Sequence, residues 1–543
     1  MSTQNKKWEI LFKGKATDIV KVLLKNRGIR TEKQKKEFLN PTPPNKLTLK
    51  ELKISEPGVK KSILRVKKAI KNKEKIIVYG DYDADGICAT AILWEALNSL
   101  KANALPYIPE RFSEGYGLNS ESVEKLKEEH SDLGLIITVD NGIVARRQVE
   151  KIKKLGIDVI ITDHHQKGKK IPKAHSIIHT TEIGGAGIAW IFARELGKTD
   201  GLELVAIGTV ADQLPLAGPN RSLVKYGLKA LNKTKRLGLL ALFEKTAIAK
   251  GSIGTYQIGF IIAPRINATG RLKHGIDSLR LLCTLDEERA NDLALYLGKV
   301  NTERQKIVEN VVLHAGDRAD NKDWRGIILL SHESYHEGVV GLAASRLVGR
   351  FYRPAIVISQ GTKLSKASAR SIPGFNIIEV IRELEDMIMD GGGHPMAAGF
   401  SIETKRIKEF SKKLEEISIP LLTDELLTRK LKIDMEVDFS QLNWKLLKVI
   451  SLFEPTGISN STPLFVTKGV SVLNARQVGA EGKHLKLTLE NKGKVFDAIA
   501  FGFGNLSSEI SPGGSIDAVY VFEENVWNGN KNLQLKIRDI RVK

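Results

Sequence analysis

Four short apolar runs constrain this 543-residue chain more than any other feature: 76–80 (IIVYG), 135–139 (LIITV), 158–162 (DVIIT) and 204–210 (LVAIGTV), each closing on acidic residues. Runs of this length, separated by amphipathic stretches, predict the buried strands of a doubly wound parallel sheet in an α/β fold. Ligands of such a sheet bind beyond the carboxyl ends of its strands. The acids there are Asp81, Asp83 and Asp85 in GDYDADG, Asp140 in VDNG, Asp163 beside His164 and His165 in TDHH, and Asp212 in GTVAD. The fold is therefore expected to gather them into one pocket. Alternate carboxylates at i and i+2 leave an extended segment on one side, so Asp83 and Asp85 are expected to point at a common ion. So many like charges raise one another's pKa values, and two divalent cations sharing a carboxylate remove the repulsion. Aspartates mixed with imidazoles favour Mn2+ or Mg2+ over a zinc site built on cysteine.

Around this core the chain divides into five stretches. Residues 1–74 read as a basic helical segment broken at PTPPN, and the first 75 residues hold 22 Lys+Arg against 7 Asp+Glu in a chain of net charge +21. That excess points either to a polyanionic partner or simply to well-solvated, lysine-rich surfaces. Residues 75–230 carry the sheet, and 231–320 a helical connector ending in a long Pro-free stretch, 285–320. A second α/β unit is expected over 321–427, with strands at 326–330 and 354–359 around a helix at 339–349. Residues 428–543 alternate apolar and polar positions in short runs such as LKIDMEVDF, HLKLTLE and LQLKIRDIRV, which suits a five-stranded barrel. Cys88 and Cys283 are too few for a disulfide framework, so a reducing, cytoplasmic setting is expected. No run approaches the roughly 18 apolar residues of a membrane span, and the N-terminus lacks a signal-peptide core. Membrane and secreted classes drop out on that reading.

The motifs GDYDADG, VDNG, TDHH and VAD resemble, in residue and order, the four motifs of the DHH phosphoesterase superfamily. PERFSEGYGLN, PRINATGRL, SARSIPGFNI and GGGHPMAAGF are similar to segments of its RecJ family of single-strand-specific exonucleases, and KHLKLTL and DAIAFGFG to that family's OB domain. The resemblance covers nearly all of the chain after the basic segment. It implies a DHH lobe and a DHH-associated lobe joined by a long helix, then an OB-like barrel. It also implies two-metal phosphodiester hydrolysis. Asp83 and Asp85 would be metal ligands, Asp140 the bridging carboxylate, and His164 and Asp212 ligands of the second metal. His165 would face the scissile phosphate, with Asp81 and Asp163 completing the acidic shell; for those two, capping or orienting a neighbour is the competing role.

Cutting one end of a strand needs an anion site apart from the metals. Arg111 in PERFSEGYG, Arg265, Asn267 and Arg271 in PRINATGR, and Ser368 and Arg370 in KASAR offer forks and hydroxyls to phosphate oxygens. The resemblance assigns Arg111, Arg271, Ser368 and Arg370 to a terminal 5′ phosphate. GGGHPMAAG reads as a glycine turn presenting His394 and backbone N–H groups to an anion. Trp444, His484, Phe496 and Trp527 are candidate stacking faces, although aromatics at strand positions are more often core. The expected activity is 5′→3′ degradation of single-stranded DNA to 5′-mononucleotides, in recombination and repair, by a monomer with a single-strand-binding protein and a helicase as candidate partners. A small-substrate phosphodiesterase of the same superfamily would need neither the basic segment nor the β-rich end. A non-catalytic scaffold of this fold would not need every acid and both histidines.

Overall fold

The computed structural model describes residues 6–14, 18–320, 324–527 and 529–543. They form two compact units, one of residues 31–304 with 453–461, the other of residues 6–30, 305–452 and 462–543.

The first unit holds a five-stranded, wholly parallel sheet in the order Ala104–Tyr107, Lys75–Tyr79, Leu133–Val139, Asp158–Asp163, Ser176–His179. From Lys75–Tyr79 the chain pairs on one side with the next strand and on the other with the one after. The sheet therefore has its switch point between Lys75–Tyr79 and Leu133–Val139, where a doubly wound fold opens its ligand crevice. Alternate side chains feed two cores: Ile76, Val78, Leu135 and Ile137 meet helices Ala84–Ser99 and Gly185–Glu195, while Ile77, Tyr79, Ile136 and Ile161 meet Ser120–Glu129 and Arg146–Lys154.

Two expectations are corrected here. The run 204–210 is not a strand but the helix Leu202–Ala211, whose Leu204, Val205, Ala206 and Ile207 are all buried. A helix apolar on every side has no 3.6-residue stripe, so its sequence is indistinguishable from a buried strand. The basic segment is also no free arm. In helix Glu56–Lys71, Val59, Val66 and Ala69 enter the core. Arg65 is buried there, its guanidinium 2.6 Å from both Asp158 and Glu74 and bonded to Gly134 O. The short excursion 453–461 is fixed by Arg221, which is fully buried and donates to the carbonyls of Phe38, Phe453, Glu454 and Pro455.

Helix Glu287–Asp320 spans 34 residues, about 50 Å at 1.5 Å per residue. The second unit then adds a mixed sheet, ordered Asp390–His394, Ala397–Glu403, Leu364–Arg370, Ala355–Ser359, Ile328–His332, with only the last pair parallel. The glycine turn expected at GGGHPMAAG is instead an exposed edge strand, Asp390–His394, with the chain reversing at Pro395 and Met396. Glycines at an edge pair through backbone alone, which strand propensities underrate. The C-terminal strands Phe465–Val478, His484–Asn491, Lys494–Ala500, Asn530–Val542 and Ser515–Trp527 close into a five-stranded barrel by pairing of the first with the last. Lys430–Glu436 extends that sheet, and the N-terminal segment, expected to be helical, adds a parallel strand, Lys7–Phe12. Trp8 secures it, donating from Nε1 to Asp539 and lying 3.9 Å under the Arg541 guanidinium.

Candidate active site

The acids meet at the switch point. Asp81 follows the first strand and is buried; Asp83 caps helix Ala84–Ser99, its Oδ1 accepting from Asp85 N and Gly86 N at 3.0 Å. The segment is thus a helix start rather than an extended strand, and after burial the charge of Asp83 is the largest influence on Asp85. Asp85 turns inward, accepting from Gly185 N (2.7 Å) and Ala186 N (3.0 Å) at the start of helix Gly185–Glu195. Asp140 ends its strand with φ +64, in the left-handed region, while Asn141 Nδ2 holds Gly80 O and Val139 O. Asp212 caps the C-terminus of Leu202–Ala211, its side chain 32% exposed. It is reached by a helix where a strand was expected, yet it arrives in the same pocket.

The resulting ligand atoms fall into three overlapping sets: Asp81 with Asp83 and Asp140; Asp85 with His164 and Asp212; and Asp140 with His164 and His165, each within 4.8 Å. Asp140 belongs to two of them. His164 Nε2 lies 3.0 Å from Asp140 Oδ1, 3.7 Å from Asp212 and 4.0 Å from Asp85. Even so, Asp140 Oδ1 is buried with no hydrogen-bond partner among the described residues. A buried carboxylate oxygen left this way is costly, and a cation between the sets is what satisfies it.

The electrostatics agree. Burial, then the neighbouring carboxylates, pushes Asp81 and Asp140 well above the usual range, Asp85 to about 6 and Asp212 to about 8. Burial and the charge of His165 push His164 down to about 4, leaving a neutral imidazole with a lone pair to give. His165 moves the other way: burial opposes its charge, but Nδ1–H donates to Asp163 Oδ1 at 2.7 Å and that carboxylate lifts it to about 9. Burial works against Asp163 too, and is outweighed by His165 and by Ile143 N at 2.8 Å. The pair is an imidazolium and a carboxylate. His165 Nε2 lies 3.2 Å from the Tyr116 hydroxyl, and His179 Nε2 donates to His165 O.

Around this cluster, Asn267 Oδ1 accepts from Ala84 N at 2.7 Å, tying helix Ala263–Leu272 to the acidic loop. Arg111 lies over the Tyr82 ring at 5.0 Å, and Arg111 and Arg271 both bear on the Tyr82 hydroxyl. Arg265 instead bonds its own helix at Ile261 O. Ser368, Arg370 and His394 belong to the second unit. There Arg370 donates to Ser368 Oγ at 3.0 Å, and the register places His394, Ala397 and Arg370 in one row. Among the barrel candidates, Trp444 is 49% exposed and His484 meets Phe501 edge-on. Phe496 turns into the core against Phe439 and Phe522, and the Trp527 side chain lies outside the described residues. Reasoning from residues missed Tyr116, whose only sequence signal was its place in SEGYG, and the amides of Gly185, Ala186 and Ile143, which carry no side-chain signature.

Comparison with known proteins bears on the same segments. The DHH family N-terminal domain matches residues 75–209, the DHHA1 domain 325–418 and the RecJ OB domain 433–539. The chain is 36% identical over 541 residues to the single-stranded-DNA-specific exonuclease RecJ of Bacillus subtilis, covering 97% of this chain and 68% of that one. It is 32% identical to the Escherichia coli protein of the same name, over 89% and 90%. RecJ of Thermus thermophilus in complex with Mn2+ superposes with a TM-score of 0.84 at 29% identity, over 99% of this chain and 80% of that one; its Mg2+ complex gives 0.78 at 27%, over 99% and 79%. Identity at this level over this much of the chain, with all three domains in order, decides the family. The chain belongs to the RecJ family of single-stranded-DNA-specific exonucleases.

Proposed function

We propose that the chain degrades single-stranded DNA from its 5′ end, hydrolysing phosphodiester bonds to 5′-mononucleotides with two divalent cations, Mn2+ or Mg2+, in recombination and repair. The observation that carries this is the buried Asp140 oxygen, without a hydrogen-bond partner among the described residues, where the set with Asp81 and Asp83 meets the set with His164 and His165. Asp81, Asp83 and Asp140 suit one cation, and Asp85, His164 and Asp212 with Asp140 the other. Bound there, the cations supply an activated water and positive charge for the phosphate oxygens. The chain does the rest. His164 stays neutral and His165 keeps its proton at Nε2, a donor for a phosphate oxygen that Asp163 holds in one orientation. Arg111 and Arg271 beside Tyr82, and Ser368 with Arg370, are the grips for the terminal phosphate. The barrel, matched by the RecJ OB domain, favours a polymer over a dinucleotide.

The test is end-labelled single-stranded DNA, duplex and RNA incubated with Mn2+, Mg2+ or EDTA. Loss of label from the 5′ end of single strands only, and only with metal, is expected; attack from the 3′ end would refute the polarity. Among the described residues no helix is long and apolar enough to cross a membrane. We place the reaction in the cytoplasm, with a single-strand-binding protein and a helicase as partners and a monomer as the working form, which sedimentation checks.

Two further outcomes are expected. Because burial lifts Asp85 to about 6 and Asp212 to about 8, cation binding must displace protons. Calorimetric Mn2+ affinity is therefore expected to rise from pH 6 to pH 8, by up to about tenfold per unit for each proton released; a flat profile would contradict it. Arg370→Ala is expected to slow 5′-phosphorylated substrates more than 5′-hydroxyl ones, and equal slowing of both would remove Arg370 from the end grip.

A further inference from the structure

We infer that Tyr256 and Phe260 form a base-stacking platform for the substrate strand beside the metal site. The inference rests on the reading of the chain as a single-strand exonuclease, and adds a subsite to it.

The two rings stack with centroids 4.9 Å apart and planes 27° apart, yet Tyr256 is 63% and Phe260 71% exposed. They are not core residues displaced outward, because the same turn already buries Ile258 and Ile262 completely. Their backbone is firmly held. Thr255 Oγ1 donates to Thr456 O at 2.7 Å, Gly254 N donates to Gln257 Oε1, and Ile258–Ile262 is a π-helical turn, a rare geometry frequent at functional sites. Two large aromatic faces kept in water on a rigid turn lose little entropy when a flat apolar partner covers them.

The surroundings identify that partner. Residues 245–273 carry five Lys/Arg and no Asp or Glu, so the pair sits in a purely cationic stretch suited to a phosphate backbone. The turn runs directly into helix Ala263–Leu272, whose Asn267 grips the acidic loop at Ala84 N. It also packs near the end of helix Leu202–Ala211: a Cβ on Gly259 would stand 3.9 Å from Val210, two residues before Asp212. Seven residues of helical rise from Phe260 to Asn267 are about 10 Å, the length of about three nucleotides at 3.4 Å spacing. Every base has a π face, so such a platform grips any sequence, as an exonuclease requires.

The test compares the full-length protein with its Tyr256→Ala/Phe260→Ala variant in EDTA, which blocks cleavage. Fluorescence anisotropy reads binding to a thymidylate oligomer of about 20 nucleotides and to an abasic polymer of equal length. Loss of stacking is expected to weaken the thymidylate complex about tenfold or more, with the abasic complex unchanged and Phe260→Trp keeping the thymidylate affinity. Equal weakening on both polymers, or none on either, overturns the platform. If the unmodified protein cleaves no single strand with Mn2+ while this base-dependent difference persists, the exonuclease reading falls and the platform stands.

Discussion

Asp140→Asn is expected to stop degradation of single-stranded DNA, by about a thousandfold or more, because a metal ion's contribution to the transition state is several kcal/mol. Asparagine keeps the shape and removes the charge, and Asp140 belongs both to the set with Asp81 and Asp83 and to the set with His164 and His165. The same substitution is expected to make the metal-free protein more stable. Asp140 is an acid whose folded pKa lies well above its unfolded value, raised by burial and then by Asp85 and Asp83. Such a group binds its proton more tightly when folded. The metal-free fold therefore loses stability as pH climbs above the ordinary carboxylate range, and Asp140→Asn removes that loss. Thermal melts in EDTA at pH 7 should show a higher Tm for the variant, and added Mn2+ should raise the Tm of the unmodified protein far more. A variant that melts lower in EDTA would show that Asp140 holds the fold through contacts instead.

Gly185→Ala is expected to reduce activity about a hundredfold, the scale on which a misplacement of about 1 Å in a reacting group is felt. A Cβ here would stand 2.5 Å from Asp140 Cγ, while the backbone N–H would still reach Asp85. Gly185 opens its helix without a positive φ, so backbone conformation gives glycine no advantage over alanine there, and a lower Tm isolates the steric effect. The double variant Gly185→Ala/Asp140→Gly provides the control: Asp140 Cβ also stands 2.5 Å from the added methyl and the φ of +64 suits glycine, so removing the whole side chain should restore the Tm and leave activity absent. If the single variant keeps full activity, helix and carboxylate have room to separate, and the close approach is not what fixes Asp140.

Three of the four acidic groups were legible because fully buried parallel strands read as short apolar runs and the fold places function at their ends. The fourth, Asp212, was found for a partly mistaken reason: Leu202–Ala211 is apolar all round, so nothing in its pattern separates helix from strand. The extended segment expected at Asp83 and Asp85 is instead a helix start, because Asp83 caps Ala84–Ser99. The contrast between His164 and His165 was invisible in the sequence, since it depends on which of two adjacent rings meets Asp163. The anchors of Asp85 and Asp163 are backbone amides, which any residue but proline supplies. The strand Lys7–Phe12 escaped notice because its partner lies at the other end of the chain.

That pairing sets an order of events on the ribosome. Lys7–Phe12 is made long before Lys430–Glu436, yet it can join its sheet only once that strand has emerged. Likewise, the carbonyls of Phe453, Glu454 and Pro455 reach Arg221 only once those residues appear. The N-terminal strand must therefore wait, unpaired, through synthesis of most of the protein. The 22 Lys+Arg of the first 75 residues keep the segment around it soluble and discourage premature edge pairing. The positive charge that first suggested a polyanionic partner thus has a second use, as protection for a nascent chain whose first strand is among the last to be placed.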